Sequence, residues 1–400
     1  MMQYFIVIIL LSILGLIVYY VFNLNPSKKT NLKSLYSDGL DLLINGNRRS
    51  AYNNFKEIVE KDSENIKAYL RLGQVLREGG NPGRALKIHK ALLIRKNLSS
   101  FDYMELHKNL SLDYFKLNKI DKAIEEALNI IKVDKKNEWT ITHLMNYYKE
   151  INDWASAAKY LKILQKINNI EDNHKLALFI LQEGRNNQQI GNFIAARSKF
   201  EEALEVHPKM AAIYYFIADT YIQESESYYQ KSQAINNEED SEYKELIDSA
   251  KNSLSKAIPM WIKYSNSKPS QSWMVIHLLK DALFELSRYD ELEKILKEIL
   301  QRNNKNPEVI ATLADMYAQK GEIQNAVDLV DSSIEEETRS LIIKLIRLKL
   351  NSINGQGNVA KSLDEIIHFL VTDEGYHKYK NTPPDEDIMW IYENSRTIED

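Results

Sequence analysis

The same small-residue punctuation returns every 34 residues through most of this chain, with alanine or glycine at fixed offsets inside paired amphipathic helical stretches. With position 1 at Leu32, Gly39 falls at offset 8, Ala51 at 20 and Phe55 at 24; a step of 34 residues gives Gly73, Ala85 and His89. Units starting at Met104 and Glu138 supply Leu110, Tyr114 and Ala123, then Leu144, Tyr148 and Ala157. The unit from Ala177 is the most faithful, with Gly184, Ala196, Phe200, Ala203 and Pro208 in register. Looser units start near Ala211, Trp273 and Pro307. Two antiparallel helices of a unit approach closely only where side chains are small, and the next unit packs across them, so each repeat is completed by its neighbour.

A 34-residue helix-turn-helix period of this kind is the tetratricopeptide (TPR) signature. It predicts an all-α chain: a TPR α-solenoid of about eight repeats over residues 32–338, preceded by a transmembrane helix and followed by a short irregular tail. A polar insertion near 224–250 breaks the period inside the sixth unit and reads either as an extended helical hairpin with a solvated tip or as a partner-docking protrusion. Pro259 is placed in the first turn of the helix that follows, where a missing amide donor is tolerated. Residues 339–371 read as a capping helix pair, and residues 372–400, with Pro383, Pro384 and an acidic run, leave the repeat altogether.

After a tip at residues 1–3, residues 4–22 carry no charge and are interrupted only by Ser12 and Gly15, long enough for a bilayer's hydrocarbon core. A cleaved signal peptide would want a basic start and a small-x-small cleavage site, and this segment has neither. Lys28, Lys29 and Lys33 follow the span and no Lys or Arg precedes it. That bias predicts a single span with the N-terminus outward and the repeats on the cytoplasmic side, joined to it by a polar connector over residues 23–31.

Composition excludes several classes of function. A net charge of −4 offers nucleic acid no general attraction. Without a single cysteine the chain has no disulfide, no thiolate metal site and no cysteine nucleophile. There is no GxxxxGK[ST], HExxH or GxSxG, the histidines are scattered singly, and His89 falls at a packing offset. We therefore expect no catalytic residues, no metal site and no cofactor.

A TPR stack offers instead an inner face lined by the first helix of each unit, at offsets 5, 9 and 12. Those offsets give Gln74, Arg77, Asn146, Lys149, Arg185 and Gln188 in the earlier units and Asp219, Asp281 and Asp315 in the later ones. The expectation is a groove graded from basic to acidic that holds an extended segment or helix of a protein partner. The sequence leaves monomer and homodimer both open.

The order of anchor, basic flank and repeats resembles the lipopolysaccharide assembly protein B family (LapB, also YciM). The stretches that carry the resemblance are Leu70 to Arg77 followed by Arg84 to His89, Asn152-Asp153-Trp154 with Ala157, and an extra loop at Ser99 to Asp102. The resemblance implies a non-catalytic inner-membrane adaptor that helps the protease FtsH degrade the deacetylase LpxC and so restrains lipid A synthesis. That family closes with a rubredoxin-like knuckle of two CxxC pairs, whereas this chain has no cysteine. Asn381, Pro384, Tyr392 and Ser395 stand in the old ligand places of what reads as a metal-free remnant, and none replaces a thiolate on zinc. The alternatives are a general envelope scaffold, for secretion or cell division with a different client, and an enzyme with a short catalytic tail.

Overall fold

The computed structural model describes residues 12–15, 31–95, 98–235, 237–302, 306–337, 340–355, 358–359, 361–363, 365–366 and 384–395. Apart from residues 12–15, the expected membrane span lies outside them. Among the described residues there are helices and no strands, and no helix is long and apolar enough to cross a membrane.

The chain divides into two compact units, residues 1–151 and 152–400. The first holds α1 (Leu32–Ile44), α2 (Arg48–Lys61), α3 (Ile66–Glu78), α4 (Pro82–Leu92), α5 (Ser100–Lys116), α6 (Ile120–Val133) and α7 (Glu138–Glu150). The second holds α8 (Trp154–Asn168), α9 (Asn173–Gln189), α10 (Phe193–Val206), α11 (Ala211–Gln233), α12 (Ser241–Ser267), α13 (Trp273–Glu285) and α14 (Tyr289–Arg302). It continues with α15 (Pro307–Gln319), α16 (Ile323–Glu337), α17 (Leu341–Ile353) and, in the tail, α18 (Glu386–Asn394).

Helix starts follow the 34-residue register at Leu32, Ile66, Glu138, Ala211, Trp273 and Pro307. Helices α5 and α9 begin a turn earlier than that register puts them, because Ser99 and Asp172 supply caps upstream, accepting from the amides of Asp102 and Lys175. The residues expected to form an extra loop at 99–102 are thus a cap and a first turn. Asn65, Asn137, Asn192 and Asn306 cap other helices in the same way, each filling one of the donors a helix start leaves open. Within the hairpins the turn calls for a left-handed residue, and Gly80 and Gly191 supply it at φ +81° and +77°. Ser287 occupies the matching turn between α13 and α14 at φ +56°.

The small residues sit at the crossings. Ala51, Ala85, Ala123, Ala157, Ala196, Ala257 and Ala326 are fully buried. A Cβ added at Gly184 would stand 2.4 Å from the Phe200 ring, and one at Gly39 would stand 3.0 Å from Phe55. Around these contacts the first unit's core gathers Phe55, Ile58, Leu72 and Val75, and a second cluster gathers Leu70, Leu92, Leu106 and Leu110. Each such side chain contributes about 1.5–3 kcal/mol on burial, which a lone hairpin would forgo on its open side.

Two expectations need correction. Pro259 lies in the interior of α12, which runs unbroken from Ser241 and pairs along its length with the long α11. Its exposed ring sits where the lost hydrogen bond faces water. The tail is not irregular throughout: Asp385 caps α18, and its apolar residues Ile388 and Ile391 are buried against the second unit.

Candidate functional site

In the first unit the sequence-selected residues of α3 meet α5. The Arg77 guanidinium donates to Asp113 Oδ1 at 2.9 Å and to Asn109 Oδ1 at 3.1 Å. Asp113 Oδ2 lies 2.5 Å from His89 Nδ1, and His89 Nε2 lies 3.2 Å from the Leu70 carbonyl oxygen. Asp113 and His89 side chains are wholly buried and Arg77 nearly so. The ring thus faces a carboxylate on one side and a backbone carbonyl on the other. The imidazole takes the place that Phe55 and Phe200 hold in other repeats, and a Cβ at Gly73 would come within 2.2 Å of it. Asp113 and Asn109 escaped the sequence reading; the available signal was a pair of polar residues one turn apart on a helix whose adjacent positions, Leu110 and Tyr114, are core.

Beside this network is a cavity of about 330 Å³ whose lining includes Arg71, Gln74, Arg77, Glu105, Lys108 and Leu112, with the exposed Phe101 at its mouth. Gln74 is tied into its own helix, accepting from Arg71 at 2.6 Å and donating to Glu78 at 2.8 Å. On α7, Asn146 is exposed and Lys149 half-buried. His143 stacks on Trp139 with centroids 3.8 Å apart, and its Nδ1 donates to the Trp139 carbonyl at 2.8 Å. Burial holds its pKa below the usual value, outweighing that hydrogen bond.

In the second unit the basic and acidic members of the set face one another. Arg185 donates to Asp219 Oδ2 at 2.9 Å, and Gln188 donates to the same oxygen at 2.8 Å. Asp315 is paired with Lys349 and accepts from Gln319. Asp281 is exposed. Arg185–Asp219 and Asp315–Lys349 each join one repeat to the next, so these charges are taken up by pairs within the stack.

The tail helix α18 rests on the same face. Trp390 stacks on Phe179 and meets Trp154 edge-on, with centroids 6.1 and 5.7 Å apart. Tyr392 packs against Phe216 and under the Arg185 guanidinium, 5.3 Å from the ring centroid. Asp387 pairs with His174 Nε2 at 2.8 Å, and Gln182 Nε2 donates to Ser395 Oγ at 2.9 Å. Asp385, fully buried, takes Lys268 at 2.8 Å and the Tyr264 hydroxyl at 3.4 Å. Burial first, then this carboxylate, pushes the Tyr264 phenol well up; burial first, then Tyr392, does the same to Tyr215.

The tail does not fit the metal of a cysteine knuckle. Of the residues in the ligand places, Tyr392 is committed to Arg185 and Phe216, and Ser395 Oγ donates to the Ile391 carbonyl. Among the described residues no group of three or more His, Asp or Glu side chains is placed to hold a metal ion.

Over 295 residues the chain is 24% identical to lipopolysaccharide assembly protein B of Haemophilus influenzae, covering 71% of this chain and 67% of that protein. The chain is similar to lipopolysaccharide assembly protein B. The namesake of Escherichia coli K12 matches at 22% over 144 residues, 36% of this chain and 37% of its own length. No protein-family model matches. Among solved structures, a TPR protein of Thermus thermophilus is 18% identical with a TM-score of 0.30, covering 47% of this chain and 98% of that one. A TPR protein of Bacteroides fragilis is 15% identical with a TM-score of 0.30, covering 65% and 99%. The TPR assignment rests on the repeat register and its buried small residues.

Proposed function

We propose that the chain is a non-catalytic TPR adaptor of lipopolysaccharide assembly, tethered to the bacterial inner membrane by residues 4–22 with its repeats in the cytoplasm. The single observation that carries this reading is the similarity to lipopolysaccharide assembly protein B, which extends over 71% of the chain. Its residues bind and align proteins and perform no chemistry. The inner-face set, namely Gln74, Arg77, Asn146, Lys149, Arg185, Gln188, Asp219, Asp281 and Asp315, is the proposed contact surface. Asn146 and Asp281 are exposed, so a partner reaches them directly.

By the resemblance, the partners are FtsH and LpxC, and the outcome is turnover of the deacetylase. Depletion of the protein in its own cells tests this: LpxC measured by immunoblot should rise several-fold, and co-purification with the anchored chain should recover the protease. Unchanged LpxC removes that role. One feature favours the second reading, an envelope scaffold with a different client: the tail has no cysteine and carries a helix seated on the repeats.

A further inference from the structure

The inner face of the second unit already holds a helix, and it is the chain's own. Residues 384–395 are acidic at their start and aromatic in their second half, and each part finds its counterpart. Asp387 meets His174 and Asp385 meets Lys268, while Trp390 and Tyr392 enter among Phe179, Arg185 and Phe216. An amphipathic helix laid in a groove by spaced anchors is a standard way in which helical surfaces recognise peptides.

The seat is nevertheless imperfectly filled. Gln182 Oε1, Gln188 Oε1 and Arg185 Nε are buried without a hydrogen-bond partner, and Gln182 and Gln188 are 0% and 1% exposed. All three lie on the stretch of α9 that α18 covers or that continues just beyond it. Buried polar atoms of native proteins are ordinarily paired, and leaving them so is costly. A core contact would have been relieved of such atoms, whereas a binding face keeps them for a ligand that supplies the missing donors and acceptor.

We propose that this face of the second unit is a receptor for a partner helix with the same anchors, acidic residues in its first turn followed by two closely spaced aromatic residues, and with polar side chains beside them that pair Gln182 Oε1, Gln188 Oε1 and Arg185 Nε. Residues 384–395 occupy it in cis until that helix displaces them. The inference rests on the adaptor reading for the existence of a partner, and adds where the partner sits and what excludes it. A tethered segment competes at a high effective concentration, so an incoming helix of equal intrinsic affinity is largely shut out.

The test uses the full-length protein in detergent and a fluorescent synthetic peptide of residues 384–395, with binding read by anisotropy. The W390A/Y392A chain, its own anchors removed, is expected to bind the peptide at least about tenfold more tightly than the unaltered chain. The same peptide with alanine in place of its Trp and Tyr should not bind. Equal affinity for the two chains, or no binding to a W390A/Y392A chain that keeps its helical circular dichroism, overturns the proposal. A second arm covers loss of folding. The chain has no cysteine, so H174C/D387C joined by a short thiol-reactive linker fixes α18 in place. The linked protein should exclude the peptide and the unlinked one admit it; peptide uptake unaffected by the linker also overturns the proposal. Neither arm involves LpxC, so the seat and the client identity fail separately.

Discussion

Gly184→Ala gives a sharp measure of how closely the repeat helices pack. An alanine Cβ at this position in α9 would lie 2.4 Å from Phe200 Cε1, 2.5 Å from Cδ1 and 3.2 Å from the Ala196 carbonyl oxygen. Carbon atoms prefer about 3.5–4.0 Å, so the ring would have to retreat by roughly 1 Å. Phe200 is fully buried, with the Phe216 ring centroid 6.1 Å away, and has nowhere to go. Overpacking of this kind costs about 1–3 kcal/mol, against which alanine in a helix interior gains about 0.5–1 kcal/mol over glycine. The net expectation is a loss of about 1–2 kcal/mol in the second unit. Urea unfolding followed by hydrogen exchange in α9 and α10 reads it, since a repeat protein need not unfold in one step. Gly83→Ala in α4 is the control: nothing lies within 4 Å of its Cβ, so helix propensity acts alone and the first unit should gain a few tenths to about 1 kcal/mol. A Gly184→Ala protein as stable as the parent, with Gly83→Ala behaving as expected, would refute the claim that small residues are there for helix approach.

Asp113→Asn removes the carboxylate shared by Arg77 and His89, leaving a buried guanidinium without its counter-ion; about 3–5 kcal/mol of the first unit's stability should go, read by denaturant titration. Ser287→Gly relieves a side chain held at φ +56°, and a rise in melting temperature equivalent to about 0.5–1 kcal/mol is expected by calorimetry. His143 should make the first unit less stable in acid. Its folded pKa lies below the ordinary 6.5, so the unfolded chain binds the extra proton; the contribution is complete above that value and is lost as pH falls toward and through the folded one. His143→Phe should flatten that slope in urea melts taken across the range. Glu293, held at about 2 by Lys297 first and then Lys320, should add a second loss in the second unit, beginning below pH 4.5 and ending near 2. Both pairs lie at the surface, so the effect is about 1 kcal/mol or less and is reduced by salt.

Features that depend on short range are legible in the chain alone. The recurrence of Gly39, Ala51, Gly73, Ala85, Gly184 and Ala196 specifies helices, their pairing and the crossings, because every partner lies within one repeat and recurs with a fixed period. The same register gives the positions expected to face inward, since facing inward is a property of helical position. What those side chains do there was decided by tertiary structure. Arg77 is spent on Asp113, and Arg185 on Asp219, because a charge carried into a crowded interior is tolerated only with a partner, and the choice of partner depends on how successive repeats stack. Farthest from the sequence was α18. Asp387 and His174 are separated by most of the second unit along the chain, and Trp390 finds Phe179 only after α8, α9 and α11 have assembled a surface with an aromatic floor and a basic rim. No period in the sequence joins such residues; they are brought together by burial of aromatic area and pairing of charge, which act only once the fold has formed.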